Sequence, residues 1–335
     1  MSDRNRRLVL VERPAGVVGN RTVGLDEWPV PDPGPGQALV QVRYLSIDPT
    51  IRTWMNDAEG YLPPIGIGEV VRGAGLGEVV RTKTDDYAVG DVVFGMTGWQ
   101  DYALTGRGQQ AMRVIPPGVD PQAALSVFGA TGMTAYFGLL EVGRVLAGDT
   151  VVVSGAAGAT GSVVGQIAKL KGASPVVGMA GTAEKCRWLL DELGFDAAIN
   201  YRTESVDARL RQVCPGGIDL YFDNVGGPIL DTCLAQLALK GRVVLCGAIS
   251  TYNDEAAPAG LRNYRNLILK RARMEGFLVL DYLDRFPEAQ VEMAAWVGEG
   301  LVKHAEHVVE GLERAPEALN LLFSGGNKGK VIVQL

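Results

Sequence analysis

The sequence predicts an α/β protein of two domains, an all-β unit followed by a unit built on a parallel sheet. Three observations predict it. The 335 residues exceed the size at which a single hydrophobic core usually stops growing. Up to about residue 125 the chain runs in short β-like segments punctuated by Gly and Pro, the pattern of an all-β unit. From about Thr131 the rhythm changes to strand, Gly-containing turn and amphipathic helix, the pattern of βαβ units.

In the first part the strand signals are Ala38–Leu45, Val70–Val80 and Asp91–Phe94. Pro31-Asp-Pro-Gly-Pro-Gly36 is a turn-rich connection and not a domain linker, because strand signals resume at once. In the second part the expected strands are Thr150–Val153, Pro175–Met179, Ala197–Asn200, Leu220–Asp223, Arg242–Cys246 and Phe277–Leu280, with a closing helix near Leu283–Val297. The tail returns to strand signals at His307–Val309 and Lys330–Val333 and is expected to rejoin the first domain. The boundaries are therefore 1–125, completed by 305–335, for the β-rich domain and 126–304 for the parallel one.

Composition removes several function classes. A net charge of -6 argues against nucleic acid as a partner, since phosphate binding needs clustered Lys and Arg. The basic start, Met1 to Arg7, precedes an apolar run, Leu8–Val11, far too short for a signal peptide. No stretch approaches a membrane span, so no membrane partner and a cytoplasmic location are expected. Cys186, Cys214, Cys233 and Cys246 show no CxxC or CxxH spacing, which disfavours a disulfide framework or structural zinc. His304 and His307 are three apart and could form half a metal site on a helix. His307-Val-Val-Glu310 before Gly311 instead reads as the start of a strand, with no thiol or carboxylate cluster beside it, and no metal is expected.

The strongest chemical signal is Val151-Val-Val-Ser-Gly-Ala-Ala-Gly-Ala-Thr-Gly161, leading into a helix with Val163, Val164, Ile167 and Ala168 on one face. A buried strand runs into Gly155-x-x-Gly158-x-x-Gly161. Glycine lets the backbone turn tightly and lets a pyrophosphate approach amide N–H groups at a helix N-terminus, where the dipole favours negative charge. The strand before and the helix after supply the Rossmann context that a bare Gly pattern lacks. A Gly-rich turn that only packs helix on sheet is the competing reading. The end of the second strand bears on cofactor choice. NAD sites usually place Asp or Glu about 20 residues on, to accept from the ribose 2′-OH. Here Val177-Gly-Met-Ala-Gly-Thr-Ala-Glu-Lys185 offers small residues, Thr182 as a donor and Lys185 as a countercharge, which favours NADP.

The chain resembles, over nearly its full length, the zinc-independent medium-chain dehydrogenase/reductases, and within them the prostaglandin, leukotriene and 2-alkenal double-bond reductases. The resemblance is carried jointly by Tyr44-Leu-Ser-Ile-Asp-Pro49, Gly98-Trp-Gln-Asp-Tyr102, Met133-Thr-Ala-Tyr-Phe-Gly-Leu-Leu-Glu-Val-Gly143, Gly158-Ala-Thr-Gly-Ser-Val-Val-Gly-Gln-Ile-Ala168, Tyr221-Phe-Asp-Asn-Val-Gly-Gly227, Cys246-Gly-Ala-Ile-Ser-Thr-Tyr-Asn253 and Met274-Glu-Gly-Phe-Leu-Val279. It implies the fold class α/β, a Rossmann parallel-sheet domain plus a GroES-like β-rich catalytic domain. It also implies cofactor-binding roles for Gly155, Gly158, Ala159, Thr160, Gly161, Gly178 and Gly181. Lys185 and Tyr201 would hold the NADP 2′-phosphate, Asn224 would line the crevice, and Cys246, Gly247, Ser250, Phe277 and Val279 would surround the nicotinamide half. Asn327 would reach back to the cofactor. Tyr252 matches the tyrosine beside the nicotinamide ribose and substrate carbonyl, and Thr50 and Arg52 fall in the substrate pocket. The family commonly reads Asp-Pro-Tyr-Met-Arg where this chain has Asp48-Pro-Thr-Ile-Arg52. An aromatic is thus missing at Thr50; Trp54 and Tyr61 are the nearest candidates to fill its space, with ordinary packing as their plainer role.

Zinc-dependent relatives polarise oxygen with a metal held by Cys, His and an acidic residue, and residues 1–125 contain neither Cys nor His. The expected reaction is NADPH-dependent reduction of the carbon–carbon double bond of an α,β-unsaturated aldehyde or ketone. The developing enolate would be stabilised by preorganised donors, with Tyr252 as the catalytic residue and water as the other candidate proton source. A quinone oxidoreductase of the same superfamily and a non-catalytic NADPH-binding protein are the alternatives. A homodimer joined by edge strands near Phe277 is plausible from the family.

Overall fold

The computed structural model describes residues 3–19, 21–108, 111–254 and 259–335, so Met1 and Ser2 of the basic N-terminal tract lie outside the described residues. It forms two compact units, Met1–Leu125 with Glu306–Leu335, and Ser126–Ala305. The first unit opens on an antiparallel hairpin of β1 (Arg4–Leu10) and β2 (Val23–Pro29). Its organising strand is β3 (Ala38–Ile47), where Leu39, Val40, Leu45 and Ile47 are buried. The short helix α1 (Thr50–Trp54) follows directly. Strand β4 (Ala74–Thr82) runs antiparallel along β3, β5 (Val92–Met96) pairs with β4, and β6 (Tyr102–Thr105) pairs with the first half of β3. Strand β7 (Arg113–Val114) and helix α2 (Pro121–Leu125) complete this stretch.

The second unit alternates strictly. Helix α3 (Ala130–Phe137) leads to β8 (Val151–Val153), α4 (Ala159–Leu170), β9 (Val176–Ala180), α5 (Ala183–Asp191), β10 (Ala197–Asn200), α6 (Val206–Val213), β11 (Ile218–Asp223), α7 (Gly227–Ala235), β12 (Leu237–Leu245), α8 (Arg265–Leu269), β13 (Arg273–Gly276) and α9 (Phe286–Gly298). The six strands form one sheet in the order β10-β9-β8-β11-β12-β13, parallel at every pairing. A sheet covered on both faces needs strands that are apolar throughout, and all of Val151–Val153 and Val176–Ala180 are buried. The chain moves outward from β8 to β10 and then crosses to β11. The switch point, where crevices open in such sheets, therefore lies between the ends of β8 and β11.

The sixth strand is not where its apolar run suggested. Arg273–Gly276 pairs with Arg242–Leu245, whereas Phe277 and Leu278 have left the sheet and Val279–Arg285 is a 3₁₀ turn. An edge strand tolerates the charged Arg273 and Glu275. Phe277 packs instead onto Gly138, where a Cβ would lie 2.5 Å from its ring. Helix α9 accordingly starts at Phe286, three residues later than its pattern indicated.

The tail adds β14 (Glu306–Glu310), α10 (Ala315–Ser324) and β15 (Lys330–Gln334) to the first unit, with β15 antiparallel to Tyr44–Ile47 of β3. Its Val331 and Val333 join the core of Leu45, Ile47, Ile51, Met55 and Trp99. The almost fully buried Lys330 bonds the Ile47 carbonyl at 3.0 Å and the Asp48 carboxylate at 2.5 Å. That ion pair fixes the chain immediately before α1.

Candidate cofactor site

At the end of β8 the backbone turns through Gly155 at φ 57°, a left-handed conformation that side chains disfavour. Gly158 then caps α4 without a side-chain bond, and Ala159, Thr160 and Gly161 form the first turn of the helix. The first N–H bonded within the helix in this region is that of Ser162, to Gly158 O. The amides before it are the orphan donors of a helix N-terminus. A Cβ at Gly161 would stand 2.5 Å from Gly155 O, so only glycine lets the helix start this close to the turn. Helix α4 is buried on all sides from Gly161 to Ala168, more completely than a one-faced pattern indicates.

Across the switch point the carboxylate of Asp223 is fully buried and gathers four donors. The Ser154 hydroxyl donates to it at 2.9 Å, the Tyr221 hydroxyl at 2.7 Å, and the N–H groups of Val225 and Gly226 at 3.0 Å each. Burial, ahead of the neighbouring Cys233 and Asp223, holds the Tyr221 phenol well above its ordinary pKa, so it stays protonated as a donor. The Asp223 carbonyl accepts from the N–H groups of Cys246 and Gly247 at 2.9 and 3.1 Å. Asn224 is locked beside the glycine turn: its N–H donates to Ser154 Oγ and its Nδ2 to Ser154 O. The ends of β8, β11 and β12 are thus tied to one residue, through its carboxylate and its carbonyl, and motif reading did not single out Asp223.

The loop after β12 carries the remaining expected residues. Burial and then Asp223 push the Cys246 thiol up to about 12, which leaves it a neutral lining group at physiological pH. Ser250 Oγ donates to Val225 O at 2.7 Å. Tyr252 follows a 3₁₀ turn (Ile249–Thr251), and its phenol oxygen accepts the Ala248 N–H at 3.1 Å. That bond folds the ring back toward Gly247, where a Cβ would lie 3.3 Å from the hydroxyl. Gly155, Asn224, Gly247, Ser250 and Tyr252 are therefore brought together at the carboxyl ends of the strands.

A second cluster sits at the ends of β9 and β10. Thr182 caps α5 by accepting the Lys185 N–H. A Cβ on Gly181 would lie 2.8 Å from the Tyr201 hydroxyl and 3.2 Å from Arg202 Nε. Burial, and then the Arg202 charge, lower the Lys185 ammonium below its usual range. Tyr201 and Arg202 reach this glycine, and Lys185 in the first turn of α5 is near enough to feel the Arg202 charge, a donor set that fits a phosphate. Arg202 is a member that sequence reading missed, although its place next to Tyr201 was the available signal.

The structure also shows what the remaining expected residues touch. Gly178 lies inside β9, where a Cβ would meet Leu189 at 2.8 Å and Phe195 at 2.9 Å, so it lets the helix pack close on the sheet. Arg52 is buried in the first unit, its guanidinium donating to Pro14 O, Gly16 O and Asn56 Oδ1. It clamps the 14–16 loop. Asn327, also in the first unit, donates to Gly329 O at 2.9 Å. Phe277 and Val279 follow β13, with the Phe277 ring engaged on Gly138.

Among the described residues no group of three or more His, Cys, Asp or Glu could hold a metal ion, and no helix is long and apolar enough to cross a membrane. A β-rich unit beside a parallel sheet with a glycine cradle defines a two-domain, nucleotide-dependent oxidoreductase. Residues 6–114 match a family model described as the N-terminal domain of oxidoreductase, and residues 159–296 one described as zinc-binding dehydrogenase. The chain is 40% identical to the NADPH-dependent curcumin reductase of Escherichia coli (strain K12), covering 99% of this chain and 97% of that protein. It is 42% identical to the 2-alkenal reductase (NADP(+)-dependent) of Nicotiana tabacum, over 90% and 88%. The solved structure of CurA in complex with NADPH from Vibrio vulnificus superposes with a TM-score of 0.93 at 41% identity, covering 98% of each chain. The chain belongs to the zinc-independent medium-chain dehydrogenase/reductases, in the group of NADP-dependent alkenal, curcumin and prostaglandin reductases, and its cofactor is NADP(H).

Two expectations follow. Replacing Asp223 with Asn substitutes an amide donor for an oxygen that faces N–H groups, at a cost of about 2 kcal/mol. Thermal unfolding should move down and NADPH affinity, read by fluorescence titration, should weaken; unchanged affinity would detach Asp223 from the cofactor site. For Lys185 the protonated form would bind phosphate and its pKa is lowered, so the preference for NADPH over NADH is full below that pKa and lost as pH rises through it. Dissociation constants of both cofactors from neutral to alkaline pH should show this decline in the wild type and a flatter profile in Lys185→Arg. Parallel profiles would place Lys185 away from the phosphate.

Proposed function

We propose that this protein reduces the carbon–carbon double bond of α,β-unsaturated aldehydes and ketones with NADPH. The observation that carries the reading is the placement of Tyr252: its phenol oxygen accepts a backbone N–H at 3.1 Å in the loop hung from Asp223. Accepting that bond polarises the O–H and makes it a stronger donor. Bound NADPH supplies the hydride. Ala159, Thr160 and Gly161 would offer amides to its pyrophosphate, Lys185, Tyr201 and Arg202 would take its 2′-phosphate, and Asn224, Cys246, Gly247, Ser250, Phe277 and Val279 would flank the nicotinamide half.

An enone or enal suits this donor set. When its β-carbon accepts hydride, negative charge develops on the carbonyl oxygen, and a donor fixed beforehand stabilises that charge without reorganisation. Tyr252 holds that position here. A proton then joins the α-carbon, from the phenol or from water.

NADPH oxidation should be measured against 2-alkenals, aryl and cyclic enones, quinones and allylic alcohols. Turnover of enals or enones to saturated products is expected; turnover of quinones alone would select a quinone oxidoreductase, and binding without any turnover a non-catalytic role. Tyr252→Phe keeps the ring and removes the hydroxyl. Loss of one oxyanion donor costs on the order of 100-fold in turnover, with NADPH affinity little changed because the loss falls on the transition state. Turnover within about twofold of wild type, well under 1 kcal/mol of barrier, would reduce Tyr252 to a packing residue.

A further inference from the structure

One stretch of the resemblance, Met133 to Gly143, lies outside the site described above. There α3 (Ala130–Phe137) runs on into a π-helical turn, Gly138–Val142, closed by the Gly143 N–H donating to Gly138 O at 2.8 Å. Such turns are rare and recur at functional sites. This one lies on the central strand β11: a Cβ at Gly138 would stand 2.8 Å from the Phe222 ring, and one at Gly143 would stand 2.9 Å from Leu220 Cδ1. Leu220 and Phe222 share a face of the strand and both are fully buried, so the turn has a rigid floor.

The chain from Arg273 to Arg285 docks on this turn at four points. The Arg273 guanidinium donates to Val142 O, and a Cβ at Gly138 would lie 2.5 Å from the tip of the Phe277 ring. Tyr282 stacks on Phe137 with ring centroids 4.7 Å apart and an interplanar angle of 16°. Arg285 donates to the Glu141 carboxylate at 2.8 Å and lies 5.3 Å from the Phe137 ring. The segment has left the sheet after Gly276 and no residue of Val279–Arg285 is buried, so these contacts set its place. Leu278 is extended, with φ -118° and ψ 131°, which puts Phe277 and Val279 on the same side of the chain. The seat of one ring therefore fixes both residues.

We propose that Gly138 is a positioning residue for NADPH: the seat it leaves for the Phe277 ring fixes the chain through Val279 where that chain would flank the nicotinamide half. The inference rests on that placement of the nicotinamide half and not on the substrate reduced. A methyl group at position 138 would force Phe222 or Phe277 to move. Phe222 is fully buried in the central strand, so the half-buried Phe277 gives way and carries its neighbours with it.

The test is calorimetric titration of the wild type and Gly138→Ala with NADPH and with 2′,5′-ADP, which carries the adenosine and the 2′-phosphate but no nicotinamide. The variant should bind NADPH about 10-fold more weakly, one decade in Kd, and 2′,5′-ADP within about twofold of wild type. The fluorescence of bound NADPH, which reports the surroundings of the nicotinamide ring, should move toward that of the free cofactor. In a Phe277→Leu background, which withdraws the ring tip, Gly138→Ala should cost less, a coupling that a merely structural role lacks. Melting temperatures monitor folding; if Gly138→Ala does not fold, Phe137→Leu, which removes the stack under Tyr282, carries the same expectation for the two ligands. Unchanged NADPH affinity in the folded variant, or equal weakening of NADPH and 2′,5′-ADP, overturns the role of Gly138. Either result leaves the enone reading standing, because no substrate enters the measurement.

Discussion

A single buried carboxylate organises the crevice of the parallel-sheet unit. Asp223 has no exposure to solvent, and hydroxyl and amide donors surround its carboxylate, as a buried polar group requires. Those donors come from the end of β8, from β11 itself and from the loop after it. The carbonyl of the same residue holds the first amides after β12. Three strand ends are thereby fixed relative to one another, including the loop that carries Tyr252. Preorganisation of this kind lets a donor act without a reorganisation cost when charge develops.

Much of this was legible because the constraints were local. The glycine cradle could be read from spacing: Gly155 needs a left-handed turn and Gly161 a close approach, and both demands appear as glycines at fixed intervals beside a strand and a helix. The parallel strands were legible because strands buried on both faces read as continuous apolar runs. The same rule misplaced the last strand. Edge strand Arg273–Gly276 is polar, and the apolar run after it serves packing on Gly138.

What sequence could not show depends on partners far away in the chain. Asp223 and Ser154 lie 69 positions apart, and neither has a local signature beyond ordinary strand-end polarity. Arg202 acquires meaning only when β10 sets it beside Gly181 and Lys185. Arg52 reads as a site residue by motif, but tertiary contacts consume its guanidinium in the 14–16 loop.

The proposed reduction makes one chemical demand: hydride must arrive at the carbon β to a carbonyl while its oxygen is held by a fixed donor. The most direct measurement is the position of the label after an enone is reduced with NADPH deuterated at the transferable C4 position, read by mass spectrometry and NMR of the product. The account requires a saturated ketone with deuterium on the β-carbon. Deuterium on the carbinol carbon of an allylic alcohol would contradict it.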